Sequence, residues 1–77
     1  NWKSALQEWS QGRGLGLPCY RVEERSRLHG DPRRFQGYVE LAGDLLGEGW
    51  GGSRRDAEQE AARVALEGLQ LSPAPQG

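Results

Sequence analysis

Between Ser53 and Leu69 the chain reads SRRDAEQEAARVALEGL, returning to a small or apolar residue every three or four positions, the repeat of one helix face. Ala57, Ala61, Val64, Ala65 and Gly68 fall on one narrow stripe, widened by Ala62, Leu66 and Leu69. Most of that stripe is small residues, alanine above all. A helix buried along such a face has almost no side-chain length to hold a neighbour away, so it must lie flat and close, as on a β-sheet. The rest of the chain therefore has to supply a sheet, together with the bulk that the helix lacks.

The upstream segments meet that demand. In WKSALQEWSQ, residues 2–11, Trp2, Ala5, Leu6 and Trp9 share one helical face, and Gly12, Gly14, Gly16 and Pro18 end the helix. CYRVEERSRL sets Tyr20 and Val22 two apart, the period of a strand. LHGDPRR is a loop. FQGYVEL alternates Phe35, Gly37, Val39 and Leu41 against Gln36, Tyr38 and Glu40, a half-buried strand, and Gly37 marks a bulge or a close backbone approach. AGD is a turn and LLGEGWGG a short glycine-rich third strand. Leu6, Trp9, Tyr20, Val22, Phe35, Val39 and Leu41 are expected to supply the bulk. The order predicts an α+β fold, α-β-β-β-α, with a three-stranded antiparallel sheet and two helices packed on one face. Residues 1–70 make this domain, and 71–77, with SPAPQG from Ser72, read as a disordered tail.

Seventy-seven residues allow one small core, since a chain of this size buries only roughly 60% of its unfolded surface. One cysteine and one histidine exclude an internal disulfide framework and a Cys/His zinc site. No run approaches the ~18 apolar residues of a membrane span and no signal peptide opens the chain, so a cytoplasmic setting is expected. The abrupt start at Asn1, with no methionine, suggests a piece of something longer. Glu40, Asp44 and Glu48 recur every four residues, but on strand, turn and strand they point apart and read as surface charges, with no nucleophile–base pair beside them. Cys19 is expected to be a small semi-buried residue, and Arg21 and Arg25 with Glu23 and Glu24 to be solvated strand charges.

A net charge of −1 argues against a polyanion partner in bulk. Distribution qualifies that reading, because nine of the ten basic residues are arginine, bunched at Arg21/Arg25/Arg27, Arg33/Arg34 and Arg54/Arg55. The last pair is anomalous. Ser53 and Asp56 form a capping box at the start of the second helix, where the macrodipole disfavours cations, yet Arg54 and Arg55 stand there. They are either solvated, paired with Asp56 and Glu58, or kept for an anion.

KSALQEWSQGRGL, LPCYRV, the His-containing loop before Phe35 and GWGGSRRDAEQEAARVAL, in this order and spacing, resemble a double-stranded RNA-binding domain over residues 2–69, specifically that at the C-terminus of bacterial ribonuclease III. The resemblance implies three contact regions. Ser53, Arg54 and Arg55 at the helix start face phosphates across the major groove, where dipole, free N–H groups and charge favour one anion. Ser4, Gln7, Glu8 and Gln11 share a face of the first helix. That face serves equally as plain solvated surface on its pattern alone, but by resemblance it lies along a minor groove. His29, with Arg33 and Arg34 able to reach phosphate, belongs to the loop that enters the next minor groove. The family pattern Lys-Lys-x-Ala-Lys reads here Arg54, Arg55, Asp56, Ala57, Glu58, so the third basic position is acidic.

By the same resemblance the function is double-stranded RNA binding by shape and backbone contacts. The module would deliver duplexes to a separate ribonuclease III catalytic domain that dimerises. No cofactor is expected in this domain and magnesium only in that catalytic one. The alternative is a domain of the same fold used for protein contact or dimerisation without RNA.

Overall fold

The structure, a computed structural model, describes residues 1–71. Helix α1 (Trp2–Gly12) is followed by strands β1 (Cys19–Glu24), β2 (Phe35–Leu41) and β3 (Asp44–Gly51) and by helix α2 (Arg54–Leu71). The strands form one antiparallel sheet in the order β1-β2-β3. The remainder of the expected tail, residues 72–77, lies outside the described residues.

Local chemistry sets the ends of α1. Asn1 caps it by accepting from the Ser4 amide, as a short side-chain oxygen does at that position. At the other end Gly14, at φ +70°, donates to the Gln11 carbonyl, and Leu15 donates to that of Ser10. This is the bond pair of a Schellman motif, which needs a left-handed residue and so favours glycine. The β2–β3 hairpin turns through Ala42 and Gly43, both at positive φ, the two-residue connection whose twist matches the strands.

The alanine stripe meets the close neighbour it requires. Gly37, Gly47, Gly49 and Gly51 are buried on the sheet face below α2, and a Cβ on any of them would fall 2.6 to 2.8 Å from atoms of that helix. Gly37 is therefore a position of close approach. The sheet's register shift lies elsewhere, between Val39 and Glu40. Leu6, Val39, Ala61, Ala62, Ala65 and Leu66 form the centre of the core, with Trp9, Tyr20, Leu46 and Leu69 packed around it. Phe35, Leu41 and Ala57 are buried as well.

Two expectations are corrected. Val64 and Gly68 are exposed, because α2 packs against α1 as well as the sheet, which rotates its buried arc toward Ala62 and Leu66. Cys19 is exposed too, since it opens an edge strand on the side away from Tyr20.

Tyr20 itself has a buried hydroxyl with no hydrogen-bond partner among the described residues. Desolvation, and secondarily the charge of Glu58, push it up to about 12. The folded pKa is raised above the unfolded value near 10, so the stabilisation linked to the neutral phenol is intact below pH 10 and lost as pH rises toward 12. Denaturant titrations from pH 9 to 12 should show this loss, and Tyr20→Phe should flatten it. The same variant should be neutral or stabilising at pH 7, because it removes an orphaned polar atom.

Candidate nucleic-acid interface

The start of α2 shows one half of the expected capping box, the bond to the Ser53 hydroxyl, and among the described residues no return bond from the Ser53 amide to the Asp56 carboxylate. The Asp56 amide donates to Ser53 Oγ at 3.1 Å and the Ala57 amide to the Ser53 carbonyl at 3.0 Å. The amides of Arg54 and Arg55 come before the first intrahelical bond, as at any helix start. Both side chains are exposed. Arg54 lies over the Phe35 ring, 5.1 Å from its centroid, and among the described residues neither arginine has a carboxylate within salt-bridge distance. The expected competitor Glu58 is engaged elsewhere, with Lys3 Nζ at 2.6 Å. The acid at the third family position is thus matched by a cation of α1.

That ion pair belongs to a latch that fixes α1 on α2. Gln59 Oε1 accepts from the Trp2 amide at 2.9 Å, and Gln59 Nε2 donates to Asn1 Oδ1 at 3.0 Å. Ser4, Gln7, Glu8 and Gln11 are all exposed. Their side chains make no protein hydrogen bond among the described residues, which leaves a hydroxyl, two amides and a carboxylate facing solvent. Gln59 carries no local signal in the sequence that would single it out. Its partners lie more than fifty residues away.

The β1–β2 loop is two consecutive turns. The Asp31 amide donates to the Leu28 carbonyl at 3.2 Å and the Arg34 amide to the Asp31 carbonyl at 3.1 Å. Gly30 has φ +85° and occupies the third position of the first turn, where a left-handed conformation is required. His29 therefore stands at the tip, exposed. Ser26, another residue missed from sequence, accepts from the Leu28 amide at 3.1 Å. The Asp31 carboxyl is held below its usual range, first by the hydrogen bond from the Arg33 amide and next by Ser26, with a smaller contribution from the Arg33 charge. Arg33 stacks over Trp50, 4.1 Å from the ring, while Arg34 pairs with Glu24 at 3.0 Å. The loop leans on the approach to α2, since a Cβ on Gly52 would sit 3.5 Å from the Asp31 carbonyl oxygen.

These contacts give the regions an order: the segment leading into α2 touches the loop at Gly52, and the first turns of α2 touch the N-terminal end of α1 through Glu58 and Gln59. They also reveal a selection among the cations. Lys3, Arg21, Arg25, Arg34 and Arg63 are paired with carboxylates. Arg13, Arg27, Arg33, Arg54 and Arg55 have no such partner among the described residues, and all five lie at the end of α1, in the loop or at the start of α2. Arg13 and Arg27 were not anticipated. Glu40, Asp44 and Glu48 form no cluster, and no group of three or more potential metal ligands occurs among the described residues. No described helix is long and apolar enough to cross a membrane.

A helix–sheet–helix module with uncompensated arginines in its β1–β2 loop and at the start of its last helix, two segments in contact at Gly52, belongs to a recognisable class. Residues 2–69 match the double-stranded RNA binding motif, and the chain is a member of that family. It is similar to the C-terminal domain of bacterial ribonuclease III. It is 55% identical over 69 residues to Ribonuclease 3 of Prochlorococcus marinus, covering 90% of this chain and 28% of that protein. With Ribonuclease 3 of Bradyrhizobium diazoefficiens the identity is 51% over 65 residues, covering 84% of this chain and 26% of the relative. The chain thus spans little more than a quarter of these relatives. Among solved structures, that of Arabidopsis HYL1 superposes with a TM-score of 0.75 at 35% identity, covering 90% of this chain and 96% of the other. The second double-stranded RNA-binding domain of HYL1 gives 0.67 at 31% identity, with coverage of 91% and 99%.

Proposed function

We propose that this chain binds double-stranded RNA by shape and backbone contacts and delivers it to a separate, metal-dependent ribonuclease III catalytic domain. The observation that carries the reading is the placement of the five arginines without carboxylate partners. In a chain of net charge −1, Arg27, Arg33, Arg54 and Arg55 are left without carboxylate partners among the described residues in the loop and at the start of α2, which approach each other at Gly52 and Asp31, while other cations are matched to acids. Arg54 and Arg55 at the start of α2 meet phosphates across the major groove, and the α1 face and the loop enter the two flanking minor grooves, a span of roughly 16 base pairs. The domain itself uses no cofactor in this account. Magnesium belongs to the catalytic partner, which dimerises, and the setting is the cytoplasm.

Gln7 and Gln11 supply donors and acceptors suited to 2′-hydroxyls, which only RNA offers. Replacing both with alanine should therefore weaken binding to an RNA duplex more than to a DNA duplex of equal length, by roughly three- to tenfold for each hydrogen bond lost. Parallel titrations of the two duplexes test this, and an equal loss on both would remove the minor-groove role of α1.

A further inference from the structure

Glu24, Arg34 and His29 form a chain of contacts that phosphate binding does not explain. Arg34 Nε and Nη2 donate to Glu24 Oε2 at 3.2 and 3.0 Å. The guanidinium lies over Phe35, 5.0 Å from the ring centroid, and its side chain is only 22% exposed. Its remaining arm, Nη1, stands 3.2 Å from His29 Nδ1. The neighbouring Arg33 is built differently, exposed and stacked on Trp50 with no carboxylate partner among the described residues.

A guanidinium carries five N–H donors, accepts no hydrogen bond and keeps its proton. The ring nitrogen that meets Nη1 must then be the one with the lone pair. A neutral imidazole has one such nitrogen, and the contact made by one ring nitrogen fixes the proton on the other. In a neutral His29 ring this contact places the proton on Nε2. Its place at the tip of the Leu28–Asp31 turn keeps the ring exposed, with Nδ1 occupied by Arg34.

We propose that Arg34 is a positioning residue: held by Glu24, it fixes His29 as the Nε2–H tautomer, so that the loop offers one outward N–H donor to an acceptor in the minor groove of duplex RNA. The acceptor is a 2′-hydroxyl oxygen or an acceptor on a base edge. This assignment rests on the RNA-binding reading above, and it separates two adjacent arginines. Arg33, with no carboxylate within salt-bridge distance among the described residues, acts on phosphate through its charge. Arg34, already matched by Glu24, acts through the histidine.

Long-range proton–nitrogen spectra of the 77-residue chain at pH 8 report the tautomer without any RNA. The unaltered chain should show His29 with its lone pair on Nδ1 and its proton on Nε2, and Arg34→Met should give a mixture of tautomers. In titrations with a duplex RNA of about 16 base pairs, Arg34→Met and His29→Ala should each weaken binding by a similar factor, about three- to tenfold. The double variant should bind no more weakly than the weaker single one, as expected of two residues acting as one unit. The salt slope should be unchanged in Arg34→Met but shallower by about one unit in Arg33→Met. Arg34→Lys, which keeps charge but loses the fork, should behave like Arg34→Met. Thermal melts check folding, and Glu24→Gln loosens the same clamp if Arg34→Met unfolds. An Nδ1–H tautomer in the unaltered chain, additive losses, a shallower slope in Arg34→Met or full binding by Arg34→Lys would each overturn the proposal. Absence of duplex RNA binding by the unaltered chain removes the minor-groove acceptor together with the functional reading, while the spectra still decide the tautomer.

Discussion

Changing Arg54 and Arg55 together to alanine is expected to lower affinity for duplex RNA about a hundredfold, at about 1.5 kcal/mol for each charge-assisted hydrogen bond lost. The dependence of log affinity on log salt should flatten by about one unit per phosphate contact, because fewer condensed counterions are released. Stability should move the other way or not at all. Both arginines stand at the positive end of α2, where a cation costs about 0.3 to 1 kcal/mol, and neither has a carboxylate partner among the described residues to lose. A double variant that melts no lower than the parent yet binds far more weakly, in titrations at several salt concentrations, separates recognition from folding. Unchanged affinity and slope would refute the phosphate role.

The second large effect concerns the fold. A Cβ on Gly47 would lie 2.6 Å from the Ala61 carbonyl oxygen and 2.8 Å from the Ala65 amide nitrogen, backbone atoms of a helix that cannot step aside singly. Gly47→Ala is therefore expected to lift α2 off the sheet and destabilise by about 3 kcal/mol, the upper part of the usual overpacking range. In a domain this small each kcal/mol lowers the melting temperature by roughly 4 to 8 °C. Gly68→Ala provides the opposite sign. A Cβ there meets nothing within 4 Å, and within α2 the change from glycine to alanine should stabilise by about 0.5 to 1 kcal/mol. Thermal melts of the two variants decide the matter, and equal effects would mean that the glycine face is not the contact surface of α2.

Much of this was legible in the sequence because it is written in local periodicity. The alternation of β2 puts Phe35, Gly37, Val39 and Leu41 inward, and all four are buried. The alanine stripe demands a close neighbour and finds the glycines of β2 and β3. What escaped depends on residues distant along the chain. Val64 was misplaced because one helix wheel does not show that α2 has two neighbours. The latch between Asn1, Lys3, Glu58 and Gln59 joins residues more than fifty positions apart. The sorting of arginines into paired and unpaired was hidden for the same reason. Arg34 and Glu24 meet because a turn brings the ends of β1 and β2 together, whereas Arg13 and Arg27 stand out only once the paired cations are known. The bunching of arginines identified the loop and the start of α2 as basic. Cross-strand geometry decides which of those charges remain for a ligand.

If α1, the loop and the start of α2 are held in register for the A-form duplex, recognition depends on duplex geometry and not on charge alone. Competition between a 16-base-pair RNA duplex and a DNA duplex of equal length and charge, titrated against the unaltered chain at one salt concentration, tests it most directly. RNA is expected to win clearly, and RNA much shorter than roughly 16 base pairs to bind poorly, because only A-form geometry presents both minor grooves at the required spacing. Equal binding of the two duplexes would contradict it, leaving a basic surface that responds to charge alone.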